Sequence, residues 1–328
     1  PYSLIYSVIL FIIIYDFFIH MSEQSNPVLD LNKTYFLGFL LAISAGIVWS
    51  FGAPTVRHMI DAEIYQWHYL FVRGVVVATI LLVFLMAKEG PKFVNNFSKV
   101  GISGLIGGTG LACAFIGFIF GMTNTSAATT LFLIALQPLF AGLLAYLFLK
   151  EKLRSATLIA MIISIFGISL MVYNDWMIGA LFGLFAGFIC SLGFSVFAVS
   201  LRWRPETPKF TTIIIAGLIC AIFSLMMVIF FSDHTTMPLK NILLSILHGS
   251  FVATGLILIS YGSKYLPAAE LMLLATMETV GGILWCWLPI FGVNEVPGTN
   301  TLIGGIVIIF AITFHAIGTR QKIIPPTL

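Results

Sequence analysis

The sequence predicts an all-α integral membrane protein of ten transmembrane helices, arranged as two inverted five-helix repeats. Three observations carry this. Of the 328 residues, 59% are hydrophobic and only 9% charged, against about 25% charged in a soluble domain. Ten apolar runs of at least 19 residues follow one another, each long enough to cross a hydrocarbon layer about 30 Å thick. The second half of the chain then repeats features of the first at an offset of 141 residues.

The N-terminal segment, residues 1–34, divides at Met21. Tyr2 to Ile19 is apolar apart from Asp16, with no basic residue ahead of it, and so lacks the charged start of a signal peptide. Met21 opens a polar stretch, MSEQSNPVLDLNKT. We read Met21 as the start of translation and residues 1–20 as upstream sequence; an eleventh helix there is the alternative. The apolar runs then cover 35–56, 65–87, 100–121, 128–149, 155–173, 177–200, 210–231, 242–263, 267–291 and 301–319. None alternates with period two, as a barrel strand does. The connections are too short for a soluble domain, so the runs must pack on one another within the bilayer.

Lysine and arginine set the orientation. With Lys33 in the cytoplasm, the same side holds Lys88, Lys92, Lys99, Lys150, Lys152, Arg154, Arg202, Arg204, Lys209, Lys264, Arg320 and Lys322. Arg57 and Lys240 fall on the opposite side, and Arg73 lies within a span. That bias follows the positive-inside rule and puts both ends of the bundle in the cytoplasm, with the cell (inner) membrane as the expected location.

A shift of 141 places Gly38 on Gly179, Gly46 on Gly187, Gly52 on Gly193, Gly108 on Gly249 and Gly121 on Gly262; Ser50 falls on Ser191 and Ala127–Ala128 on Ala268–Ala269. Glu151 and Glu295 are 144 apart, which implies a short insertion before the last helix. The period spans five helices. Because five is odd, the second copy enters the membrane from the other side, an arrangement in which transporters hold substrate near the midplane. The expected units are residues 35–173 and 174–319, followed by a short tail, 320–328. A duplication kept only for packing is the alternative.

The segment LQPLFAGLLAYLFLKEKLRSATLIAMIISIFGISLMV, Leu136 to Val172, resembles the closing helix pair of an EamA domain of the drug/metabolite transporter superfamily. The shared features are a mid-helix Gln-Pro and a charged turn at Lys150, Glu151 and Lys152. HYLFVRGVVVA, which contains Arg73, is similar to the second helix of that domain. Glu278 falls where the second EamA copy commonly has Glu-Pro; here Thr279 follows it. The resemblance extends over about residues 38–318. It implies a metabolite carrier, for solutes such as amino acids or nucleotide-like compounds, or for lipophilic cations.

The polar residues inside the spans are the candidates for binding. The ninth run carries Glu270 and Glu278. From Pro267 to Glu278 is about 16 Å of helix, or half the membrane, and an acid at that depth should face a cavity or a partner. Gln137 is its equivalent under the 141 shift, so each half would bring one polar group to the centre. An acid or amide that merely bridges helices is the plainer reading of both. Arg73 needs an anion, with Glu278 the obvious partner, unless it snorkels to the surface. Together the two charges would suit a zwitterion. His68 and His248 can carry protons, as could His315 near the end of the last span, although a histidine at a helix end is more often interfacial. Trp49 and Trp285 lie within spans; Trp285 is two turns past Glu278 and could line the same cavity. Trp67, Trp176 and Trp203 read as interfacial anchors. Cys113, Cys190, Cys220 and Cys286 read as packing residues, and the four-residue glycine spacings as close helix contacts.

No GxSxG, HExxH, P-loop or GxGxxG pattern occurs, so no enzyme, cofactor, metal or direct ATP drive is expected. The expected function is secondary transport of a small-molecule substrate by alternating access. Proton coupling, exchange and facilitated diffusion all stay open. A polyspecific exporter of cations and a non-transporting subunit are the alternatives. The expected partners are the substrate and the lipid bilayer, with a homodimer compatible and no nucleic acid.

Overall fold

The computed structural model describes residues 27–150, 155–172, 178–265 and 274–319. Of these, 85% are helical and none is in a strand, as lipid demands, because a spanning segment must satisfy every backbone polar group internally. In order, the helices are α1 (Pro27–Ser50), α2 (Gly52–Arg57), α3 (Gln66–Glu89), α4 (Gly101–Asn124), α5 (Ala127–Ile134), α6 (Gln137–Leu149), α7 (Ser155–Val172), α8 (Ile178–Trp203), α9 (Lys209–Phe231), α10 (Leu239–Gly262), α11 (Met277–Trp287) and α12 (Thr299–Thr319).

Seven stretches are long and apolar enough to cross a membrane: Tyr35–Arg57, Gln66–Ser98, Gly101–Asn124, Ala127–Leu149, Leu181–Trp203, Lys209–Phe231 and Leu239–Gly262. Two shorter apolar stretches, Ser155–Leu170 and Thr299–Phe314, lie in α7 and α12. The ninth expected span begins in residues 266–273, outside the described residues together with Glu270, and only α11 represents it. Residues 1–26, Trp176, the tail and the side chain of His315 also lie outside. The outer surface is apolar: Phe148, Phe230 and Phe231 are each at least 70% exposed, which suits hydrocarbon and not water.

Three helix breaks shape the interior. Pro54 cannot donate to the Ser50 carbonyl and its ring would strike it; α1 accordingly stops at Ser50 and α2 restarts past Phe51. Pro138 does the same to Ile134. There α5 ends, and the freed Ile134 carbonyl accepts a hydrogen bond from Ser191 Oγ at 3.4 Å. The third break, a turn at Thr276 ahead of α11, occurs without proline. Thr279 stands where Pro138 does, its N–H bonded to Thr276 O and its hydroxyl donated to Leu131 O at 3.1 Å. Ala135 and Thr276 are 141 residues apart, so two of the breaks sit at equivalent positions.

The helices pack as α4 on α8, α3 on α9, α7 on α12, α1 on α10, α4 on α9, α3 on α10, α1 on α11, and α8 on both α5 and α6. Glycine makes the tightest of these contacts. A Cβ on Gly74 would meet Gly217 O at 2.8 Å, and one on Gly110 would meet Gly193 O at 2.8 Å. The backbones of α3 and α9, and of α4 and α8, therefore touch with no side chain between them. The predicted small-residue contacts also occur at Gly104, Gly108, Gly117, Gly121, Gly183 and Gly187, each of which abuts a neighbouring helix or turn. Gly110→Val is expected to cost about 2 kcal/mol by overpacking, read as a lower thermal midpoint in detergent. Gly298→Ala, where a Cβ meets only Thr301 Oγ1 at 3.7 Å, should leave the midpoint unchanged.

Candidate functional site

The helix breaks deliver polar groups to one internal cavity. Gln137 opens α6 and Glu278 stands in the first turn of α11. Both line the cavity with Trp49, Arg73, Cys190 and His248. The cavity has a volume of about 60 Å³, space for one or two water molecules. Neither the Glu278 carboxylate nor the Gln137 side-chain amide forms a hydrogen bond or ion pair with the described residues. The Gln137 backbone carbonyl is anchored, accepting from Ser195 Oγ at 2.9 Å.

Arg73 is 1% exposed, so it does not snorkel. Its Nη2 donates to Phe115 O at 3.0 Å. The guanidinium carbon lies 5.0 Å from the Phe115 ring centroid and 5.9 Å from that of Phe118, a cation–π seat. Its Nε is buried without a hydrogen-bond partner. The predicted ion pair with Glu278 is not formed: the two charges share the cavity, but a carbonyl and two aromatic faces hold the guanidinium. A buried donor left this way is costly, and an incoming acceptor would relieve it.

His248 is seated by Tyr69. The Tyr69 hydroxyl donates to Leu244 O at 3.2 Å and lies 3.2 Å from His248 Nδ1, while the imidazole packs against Phe118. On the other wall, Trp49 Nε1 donates to Val252 O at 3.3 Å, and its ring lies on Gly255, where any Cβ would collide with it. The remaining lining is aromatic and aliphatic, with Phe194 edge-on to Trp49 at 6.0 Å.

Two candidates lie elsewhere. Trp285 lies outside the cavity: its Nε1 donates to Ser50 Oγ at 2.9 Å, and its ring stacks on Phe51 at 5.6 Å. Trp285 shares the Glu278 face of α11 but lies two turns further along it, beyond the cavity lining, where that face meets α1. His68 sits at the start of α3 with Nε2 2.8 Å from His234 O, as a helix-end histidine does. Of the expected interfacial tryptophans, Trp67 packs on Phe120 and Phe223 and Trp203 is 47% exposed.

Sequence reasoning passed over Cys190 and the phenylalanine walls, because apolar side chains are everywhere in this chain and none announces its facing. Tyr69 was findable: it precedes Arg73 by four residues and so shares its helix face. Also passed over was a clamp away from the cavity. Arg57 Nε lies 2.7 Å from Glu295 Oε2, and Nη2 donates to Glu295 Oε1 at 2.9 Å and to Thr125 O at 2.6 Å. Glu295 Oε1 also accepts from Ala127 N at 2.7 Å. One carboxylate thus caps α5 and ties it to α2 and to the segment joining α11 and α12.

Apolar helices of spanning length around a cavity that holds a few polar side chains define a multi-pass membrane protein. Residues 36–173 match the model of the EamA-like transporter family, a match consistent with the drug/metabolite transporter superfamily. Nineteen chains of solved structures also match. One, described only as "Crystal structure of protein", has 17% sequence identity and a TM-score of 0.58, with 87% of this chain and 99% of that one covered; the likeness is one of fold. No curated protein matches.

Glu295→Ala removes the acceptor for Ala127 N–H and the partner of Arg57, leaving Ser126 as the only cap of α5 among the described residues. It should destabilise the protein by about 2 kcal/mol, seen as a lowered thermal midpoint. Glu63→Ala, at an exposed carboxylate with no partner among the described residues, is the control and should have no effect.

Proposed function

We propose that the whole chain is a secondary transporter that moves a small organic metabolite by alternating access, with its site in the cavity between two inverted five-helix halves. The observation that carries this reading is the cavity's polar content. A carboxylate and an amide without partners among the described residues, brought in by helix breaks 141 residues apart, line one cavity with a buried guanidinium. Polar groups inside a membrane are tolerated where they serve a substrate or ion, and discontinuous helices at corresponding positions of two repeats are where transporters bind.

The packing supports the repeat. If α1–α2 and α5–α6 each count as one span, the ten spans fall into two fives. Exchanging spans five apart turns α1 on α10 into α8 on α4, and α3 on α10 into α9 on α4. It also turns α1 on α11 into α8 on α5 and α6, and maps α3 on α9 and α7 on α12 onto themselves. A twofold relation between two five-span halves would produce that pattern, and it would be an inverted one because five is odd.

In this reading the substrate's carboxylate lies against Arg73 and its amino group against Glu278, with Gln137 and His248 supplying further hydrogen bonds and Trp49 an apolar face. An amino acid fits this set. The present cavity of about 60 Å³ is far below the roughly 300–1,000 Å³ of organic-ligand pockets, so it must widen as the halves rock. Glycine contacts without side-chain interlock, at Gly74–Gly217 and Gly110–Gly193, suit that motion. The aromatic lining favours a second reading, an exporter of lipophilic cations; the positive charge of Arg73 counts against it.

A thermal-shift screen over amino acids, nucleotides and quaternary ammoniums tests this. An amino acid should stabilise the protein. Glu278→Gln and Arg73→Gln should each weaken that ligand by about tenfold or more, the usual scale for a lost charge-assisted bond. If both variants respond to every ligand as the unsubstituted protein does, the proposed site is wrong. Stabilisation by quaternary ammoniums alone would favour the cation exporter.

A further inference from the structure

Three lysines converge where α3, α9 and α10 end, well away from the cavity. Lys88 lies in the last turn of α3, Lys209 opens α9, and Lys264 follows α10. The Lys88 ammonium lies 5.1 Å from the Phe210 ring centroid and 5.3 Å from that of Tyr261, and the Lys264 ammonium is 5.2 Å from the same Tyr261 ring. Lys209 Nζ donates to Ser263 Oγ at 2.9 Å, beside Lys264. Lys264 is close enough to repel both Lys88 and Lys209.

No carboxylate among the described residues forms an ion pair with any of the three. The one acid acting on the group, Glu89, has its own Oε2 bonded by Asn96 Nδ2 at 2.7 Å. Like charges drawn together from three helices, without an internal counter-ion, call for an external one.

We infer that Lys88, Lys209 and Lys264 form a binding site for the phosphate of an anionic phospholipid in the leaflet at this end of the bundle. Position argues for the lipid source. The lysines mark the polar ends of membrane-length apolar helices, which is the headgroup level, and basic clusters between helices at that level hold anionic headgroups. Phe84 packs edge-on against both Phe210 and Tyr261, so an apolar floor meets the acyl side while the ammoniums meet the phosphate. The site stands independently of the proposed transport function.

The test is native mass spectrometry of the full chain in an uncharged detergent, titrated with phosphatidylglycerol, phosphatidylcholine or inorganic phosphate. Phosphatidylglycerol should remain bound where phosphatidylcholine does not. Each of Lys88→Gln, Lys209→Gln and Lys264→Gln should weaken its retention about fivefold, the value of one lysine near an anionic surface. Lys92→Gln with Lys99→Gln, which removes the same kind of charge from the neighbouring loop, should leave retention unchanged. Because Lys264 is exposed, its variant keeps the test readable if the others fold poorly. Equal loss in the Lys92/Lys99 variant would mean a diffuse charge effect and overturn the site. Undiminished binding in all three single variants, or displacement of the lipid by inorganic phosphate alone, would overturn it too.

Discussion

A polar side chain in the middle of a bilayer must have a partner or a cavity, and this requirement organises the whole molecule. Gln137 and Glu278 reach the interior because α5–α6 and the helix ahead of α11 are each interrupted just before them. The interruption at Pro138 frees the Ile134 carbonyl, which Ser191 takes up, and Ser195 adds a bond to the first carbonyl of α6, that of Gln137. At Thr276 the following residues close a tight turn. The interior therefore accommodates its breaks without unfolding, and what remains unsatisfied is the side-chain chemistry facing the cavity.

Arg73 shows how a charge can be held in such a place while part of it stays available. A carbonyl accepts from one nitrogen and two aromatic faces cover the plane, while Nε keeps its proton unshared. A tight Arg73–Glu278 pair would have neutralised both groups and closed the site. Separated, they leave a guanidinium and a carboxyl group facing the same space. The clamp of Arg57, Glu295 and the α5 N-terminus is the opposite case. There every charge finds its partner, and the result is a tie between elements.

The helical, membrane-embedded fold was legible in composition and run length, because nothing else makes so apolar a chain stable. Glu278, Gln137, Arg73, Trp49 and His248 were legible because polar or amphipathic groups stand out against such a background, and the structure brings all five to one cavity. Trp285 was misplaced because seven-residue spacing fixes the helix face and not how far the cavity runs along it; two turns past Glu278, the hydroxyl of Ser50 and the ring of Phe51 claim it instead. The break at Thr276 was not readable from Glu278–Thr279, since the usual signal there is proline. The Arg57–Glu295 clamp joins residues far apart in sequence, and no local pattern marks it.

The central claim, a water-reachable polar cavity between the halves, is tested most directly by thiol mapping on the native cysteines. Cys190 lines the cavity, whereas Cys113 is exposed on the outer face of a spanning helix. Sealed vesicles are treated with an anionic, membrane-impermeant methanethiosulfonate, and the modified peptides are identified by mass spectrometry. Cys190 is buried in the cavity as it stands, so the account predicts that it is modified as the cavity widens, while lipid protects Cys113. Modification of Cys113 with Cys190 untouched would contradict it.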